Sequence, residues 1–257
     1  MLRLAAAQSV SRPGDLAANV DEHLRFARAA READVDLLVF PELSLSGYEP
    51  ALLSDCQVDV AGKSGVLAPL QSMADESGMT IVVGAPIAAP RAGCPCIGAI
   101  TLVPGVPPRV YLKQHLHPGE EVFATAGPTG PFVIDAGGVP CGLAVCADFC
   151  VADHAAQAHA AGARVYLASA LISVGGYAND AALLAERAVR NAMPVLLSNH
   201  GGPSGGYVSA GRSAFWSASG ELLVQVEGPG EHLLVVEKAE AGSGWSGRVL
   251  SLQNEPV

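Results

Sequence analysis

Charge is scarce in this chain. Of its 257 residues only 16% are Asp, Glu, Lys or Arg, whereas 50% are hydrophobic, so much of the polypeptide must lie inside. At this length a sizeable core forms without covalent staples. Yet no uninterrupted apolar run approaches the roughly 18 residues that a membrane-spanning helix needs. The opening MLRLAAAQSVSRPG holds too short an apolar stretch for a secretory signal and reads as a first strand, which makes a cytoplasmic protein the expectation. Basic residues are also few: 15 against 25 acidic ones, a net charge of −10, and they form no cluster. That balance argues against nucleic acid or an anionic membrane as a partner.

Other signatures are missing or incomplete. Six cysteines is an even number, but a disulfide framework belongs to short secreted chains, so reduced thiols are expected. AGKSG at 61–65 looks like the tail of a phosphate loop, but Gln57 stands where its first glycine belongs. Cys94-Pro-Cys96 is too tightly spaced for a zinc knuckle, and Cys141, Cys146 and Cys150 are too widely spaced. His115, His117, His154, His159 and His200 show no ligand spacing either, so no metal site is expected. GGPSGG at 201–206 lacks a strand-to-helix context and reads as a loop. With no internal repeat, linker or composition shift, residues 1–257 are expected to form a single domain.

What is present is alternation. Strands are expected at Leu2–Gln8, Val35–Phe40, Thr80–Pro86, Val165–Ser169 and Val195–Asn199. Helices are expected at Asp15–Glu32, where Leu16, Val20, Leu24 and Ala27 keep helical spacing, and at Ser64–Gly78, Asp148–Ala161 and Asn179–Met193. Ile97–Val103 and Arg109–Lys113 read as a hairpin, and Phe132–Asp135 and Gly142–Cys146 as two strands around Gly137-Gly138. From Tyr207 onward short strands follow, including Leu222–Val226 and His232–Val236. Hairpins interrupting the alternation imply paired mixed sheets with helices outside.

Three residues able to do chemistry stand at the ends of expected strands: Glu42, Lys113 and Cys146. Rigid elements hold side chains at the rim of a cleft in such positions. A free thiol is only slightly ionised at neutral pH, and an ammonium or a following helix N-terminus lowers its pKa. The helix expected from Asp148 would follow Cys146 directly. A carboxylate can take the thiol proton and later activate water, while a lysine and a backbone N–H can stabilise an oxyanion. The five other cysteines, Cys56, Cys94, Cys96, Cys141 and Cys150, are expected to be small core residues. A cysteine–histidine–asparagine arrangement using His200 and Asn199 is disfavoured, because adjacent residues do not easily occupy successive triad positions.

FPELSLSGY (40–48), YLKQHL (111–116) and GLAVCADF (142–149), in this order and spacing, resemble the three blocks of the nitrilase, or carbon–nitrogen hydrolase, superfamily. RAVRNAMPVLLSNHGG (187–202) and SAGRSAFWSASGELL (209–223) are similar to its later segments. The resemblance implies a four-layer α-β-β-α sandwich with two mixed sheets, a homodimer or higher homo-oligomer, a small-molecule substrate and no cofactor. It implies Glu42 as general base, Lys113 as oxyanion stabiliser, Cys146 as nucleophile and the Ala147 N–H as a second oxyanion donor. An additional glutamate is implied at Glu120, seven residues before Gly127, with Glu121 as competitor. Asp148 matches an aspartate two residues past the nucleophile. Ala147, Val151-Ala152-Asp153 and ASALIS (168–173) depart from the family pattern around the site. The preferred reading is an amidase releasing ammonia from a small amide through a thioester. The alternatives are a nitrilase or N-carbamoyl amidohydrolase on the same triad, or an inactive thiol-bearing binding protein.

Overall fold

The computed structural model describes residues 1–60, 65–89, 93–239 and 244–252. The phosphate-loop-like AGKSG therefore lies largely outside the described residues. In chain order the elements are β1 (Leu2–Gln8), α1 (Leu16–Glu32), β2 (Leu37–Val39), α2 (Ala68–Ser77), β3 (Thr80–Ile87), β4 (Cys96–Leu102) and β5 (Arg109–Leu112). There follow β6 (Val133–Ala136), β7 (Val139–Val145), α3 (Ala152–Ala160), β8 (Val165–Ala170), α4 (Tyr177–Asn191) and β9 (Val195–Asn199). The chain closes with β10 (Ala214–Trp216), β11 (Leu222–Gln225), β12 (His232–Lys238) and β13 (Trp245–Ser251).

Local chemistry sets many of these boundaries. The Asp15 carboxylate accepts a hydrogen bond from the Ala18 N–H at 3.0 Å and caps α1. Gly78 ends α2 at φ +72°. Gly137 and Gly138, at φ +58° and +85°, supply the two left-handed residues of the tight β6–β7 hairpin. Leu43, Asp34, Cys146, Ala192 and Arg212 also adopt positive φ without being glycine.

The strands form two mixed sheets. One has seven strands in the order β13-β12-β1-β2-β3-β4-β5, the other six in the order β11-β10-β9-β8-β7-β6. Within them β1-β2-β3 and β7-β8-β9 run parallel, and the flanking strands are antiparallel. The sheets pack face to face through Leu4, Val39, Val82, Leu143, Leu167 and Leu196. Outside the first sheet, α1 and α2 bury Val20, Phe26, Ala27 and Leu70 against Ala5, Leu38 and Ile81. Outside the second, α3 and α4 bury Ala155, Ala158, Leu184 and Ala188 against Ala144, Tyr166 and Ala168. The result is the expected α-β-β-α sandwich. Its central strands are buried on both faces, which is why they read as continuous apolar runs rather than alternating ones.

Two buried hydroxyls tie the sheets together. Ser169 donates to the carbonyl of Phe40 at 2.8 Å, and Ser198 to that of Ala7 at 2.7 Å. These bonds hold the carboxyl ends of β8 and β9 beside those of β2 and β1. Ligand clefts form at the carboxyl ends of parallel strands.

Several expectations need correction. No α-helix starts at Asp148: Cys146–Cys150 is a 3-10 turn, and α3 begins only at Ala152. The helix expected from Ser64 starts at Ala68, and the one expected over Asn179–Met193 runs two residues earlier. β13, an edge strand pairing antiparallel with β12, was not assigned from the sequence. Among the described residues no helix is long and apolar enough to cross a membrane.

Candidate active site

Glu42, Lys113, Glu120 and Cys146 come from four separate segments and meet at one end of the sandwich. Glu42 follows β2 in a tight turn, with Leu43 at φ +53°. The turn presses against β3 so closely that a Cβ on Gly84 would lie 2.3 Å from the Leu43 nitrogen, so only glycine fits there. His200, just after β9, binds the Glu42 carbonyl oxygen through Nε2 at 2.6 Å. A carbonyl only accepts, so Nε2 carries the proton. Burial lowers the His200 pKa to about 4 and keeps the ring neutral.

Lys113 sits one residue past β5. Its backbone N–H donates to the Ile97 carbonyl at 2.8 Å, and its carbonyl accepts from the Gly127 N–H at 2.8 Å. A Cβ on Gly127 would fall 2.5 Å from that of Leu112, so glycine is what lets this return segment lie against the lysine. The ammonium is fully buried between two carboxylates, 2.7 Å from Glu42 Oε1 and 2.7 Å from Glu120 Oε1. Burial alone would push its pKa down, but Glu42 and Glu120 outweigh burial and hold it above its ordinary value.

Glu120 is itself buried and fully engaged. Oε1 also accepts the Tyr48 hydroxyl at 2.6 Å, and Oε2 accepts the His117 N–H at 2.7 Å. Glu121 is exposed and accepts only the Gly119 N–H in its own turn, at 2.8 Å. Of the two glutamates, the site contains Glu120.

Cys146 terminates β7 in a left-handed conformation, φ +45°, which is strained for a residue with a side chain. Asp148 maintains that turn. Its buried carboxylate accepts the Val145 N–H and the Tyr111 hydroxyl on one oxygen, at 3.0 and 2.6 Å. The other oxygen accepts the Gln114 and His115 N–H groups, at 3.1 and 2.9 Å. One carboxylate thus ties the cysteine turn to the chain leaving Lys113. Arg187 of α4 donates to the carbonyls of Phe149 and Cys150, at 2.9 and 3.1 Å, closing the far end of the turn. Ala147 lies in its first turn, where backbone N–H groups have no intrahelical acceptor.

The electrostatics differ from the sequence expectation. A nearby ammonium should lower the thiol pKa; instead burial and the charge of Glu42 raise it well above normal, and Lys113 only partly offsets them. Glu42 is raised too, first by burial and against the pull of Lys113, which makes it a stronger base than an exposed carboxylate. Among the described residues its second oxygen, Oε2, is buried without a hydrogen-bond partner, in the same cavity as Cys146. The cavity has a volume of about 200 Å³. Leu171, Ile172, Tyr48 and Tyr207 give it apolar walls, and His117 and Asp180 also line it.

A family model described as carbon-nitrogen hydrolase matches residues 3–239. The chain belongs to the carbon–nitrogen hydrolase family. It has the nitrilase-superfamily fold. Among solved structures it is similar to a variant of the amidase from Nesterenkonia sp. AN1 carrying acrylamide added at the active-site cysteine. That match has a TM-score of 0.83 and 28% identity and covers 93% of this chain and 94% of the other. A second variant of that amidase, in complex with butyramide, matches at a TM-score of 0.81 and 29% identity, covering 91% and 89%. Among curated proteins it is similar to glutamine-dependent NAD(+) synthetases. The one from Xylella fastidiosa is 29% identical over 92% of this chain and 44% of the relative. The one from Mycobacterium leprae is 30% identical over 92% and 38%. The chain thus spans less than half the length of these curated relatives.

Within this carbon–nitrogen hydrolase the other expected residues fall into place or move. Cys56, Cys96 and Cys141 are buried as expected, Cys94 is half-buried, and Cys150 is exposed rather than in the core; all six thiols are free. His200 and Asn199 form no triad with Cys146. His200 is committed to Glu42, and the Asn199 amide is used by the backbone of Ile172, Gly211 and His200. Sequence reasoning missed Tyr48, Tyr207 and Asp180, and weighed His200 only as a metal ligand or a triad member. Tyr48 lies inside the quoted FPELSLSGY, but no spacing rule singles it out.

Proposed function

We propose that this chain is a cysteine amidase that releases ammonia from a small amide through a thioester. The observation carrying this reading is the unpartnered, buried Glu42 Oε2 in the cavity that holds the Cys146 thiol, with Lys113 fixed beside it by two carboxylates. Glu42 takes the thiol proton as the sulfur attacks the amide carbon. Lys113 and the Ala147 N–H hold the oxyanion that forms, in a site where such donors act strongly. Glu42 then gives its proton to the departing nitrogen, the C–N bond breaks, and ammonia leaves. Water attacks the thioester, Glu42 takes the water proton, and the C–S bond breaks. The proton returns to the sulfur and an acid is released. Glu120 holds Lys113 in place and Asp148 holds the cysteine turn.

The small cavity with apolar walls suits a short acyl chain, and the amidase with butyramide or acrylamide at its site supports this substrate class. Nitriles and N-carbamoyl compounds are alternative substrates of the same triad. The glutamine-dependent relatives add glutamine as a candidate. On the family resemblance alone, the reading includes a cytoplasmic homodimer or higher homo-oligomer. The test is ammonia release from a panel of short amides, nitriles, N-carbamoyl amino acids and glutamine. Turnover of short amides that disappears in Cys146→Ala is expected; turnover of nitriles or carbamoyl compounds alone would overturn the amidase assignment.

A further inference from the structure

Asp180 stands in the first turn of α4 and lines the same cavity as Cys146. An aspartate in a first turn ordinarily serves the helix dipole from the solvent side. Here it is half-buried and turned to the cavity. Its Oδ1 has one partner, the neighbouring Asn179 amide at 3.3 Å. Among the described residues its Oδ2 has no hydrogen bond and no cation lies within ion-pair distance. The same cavity is lined by two further carboxylates, Glu42 and Glu120, and among the described residues Glu42 Oε2 has no hydrogen-bond partner. Lys113 compensates one of the three charges. No lysine or arginine is among the described lining residues, and His117 is the only basic side chain there.

This imbalance selects among amides. A low-dielectric pocket with excess negative charge concentrates cations and repels anions. A substrate carboxylate entering it would lose its hydration and gain no cationic partner. A substrate ammonium would find the free carboxylate of Asp180 while the walls of Leu171, Ile172 and Tyr207 cover the methylenes between. Resting on the amidase reading, we propose that Asp180 is a specificity-determining residue that binds a cationic group at the far end of the substrate, so that the preferred substrates are short ω-ammonium amides.

The test compares three amides of similar length: 4-aminobutyramide, its neutral isostere pentanamide, and the anionic succinamate. Binding to Cys146→Ala protein is measured by calorimetry, and turnover is followed separately with the wild type. The amine should bind about tenfold more tightly than pentanamide, a preference that weakens with added salt, and succinamate should bind more weakly than either. Asp180→Asn should remove the preference and Asp180→Glu should keep part of it. A merely structural role would shift both affinities together and leave their ratio unchanged. Equal affinities, no measurable binding of either, or a ratio unaffected by Asp180→Asn would overturn the inference. Turnover of pentanamide without any preference sinks the subsite and keeps the amidase; preferential binding without turnover of any amide does the reverse.

Discussion

Replacing Glu120 by glutamine tests the buried carboxylate–ammonium–carboxylate arrangement at its least redundant point. The side chain keeps its size but loses its charge and one acceptor oxygen. Its carboxylate serves three donors, Lys113 Nζ and the Tyr48 hydroxyl on Oε1 and the His117 N–H on Oε2. If the glutamine oxygen faces Lys113, its NH2 meets the His117 N–H, donor against donor. Turned the other way, the NH2 meets the ammonium. In either orientation a buried donor goes unsatisfied, at about 1–3 kcal/mol and more where charge is involved. Expressed in the transition state, where about 1.4 kcal/mol is tenfold, this is a loss of roughly tenfold or more in turnover. The melting temperature should also fall, by about 2–4 °C for each kcal/mol lost from the fold. Glu121→Gln, on an exposed residue that keeps an acceptor for Gly119, should stay within a factor of about two. Steady-state ammonia release and thermal melts of both variants decide the matter. A Glu120→Gln protein that melts earlier yet turns over normally would refute the idea that this carboxylate positions Lys113. A crippled Glu121→Gln would refute the register.

Three further outcomes are expected. Iodoacetamide, itself an amide, should alkylate Cys146 ahead of the exposed Cys150, as read by peptide mass spectrometry. Glu42→Gln should slow only the first of these reactions, since in the proposed mechanism Glu42 takes the Cys146 proton as the sulfur attacks; labelling that favours Cys150 counts against this. Stability should fall as pH drops below about 6.5, because the unfolded chain then protonates histidines that the fold keeps neutral, with pKa values lowered to about 4 at His200 and about 3 at His23. The His200 share is on the order of 3 kcal/mol once pH has passed below its folded pKa, and His200→Gln should flatten melting curves taken from pH 7 to 4. If Lys113 supplies the positive charge at the reacting carbon, as proposed, prolonged chelation should leave ammonia release unchanged; activity lost to a chelator and restored by a metal would contradict that role.

The sequence by itself determined the layers and the chemical parts. Strands buried on both faces must be continuous apolar runs, so Leu2–Gln8, Thr80–Ile87 and Val165–Ala170 are legible without knowing their neighbours. Glu42, Lys113 and Cys146 are legible because each sits where a strand ends and because three spaced blocks carry them. Tertiary structure decided what depends on distance through space. Glu120 and Glu121 are chemically identical neighbours, and only the packing of Gly127 on Leu112 and the reach of Tyr48 separate the buried carboxylate from the exposed one. The state of the thiol was likewise beyond a linear reading. An ammonium 33 residues away in sequence promised a lowered pKa, but burial and the Glu42 carboxylate, brought in from the other sheet, act more strongly in the opposite direction. His200 lies inside the quoted RAVRNAMPVLLSNHGG, but nothing in that segment points to the Glu42 carbonyl, and Asp180 lies in no quoted segment. One binds a carbonyl 2.6 Å away and the other lines the cavity, and both relations exist only after the two sheets have packed.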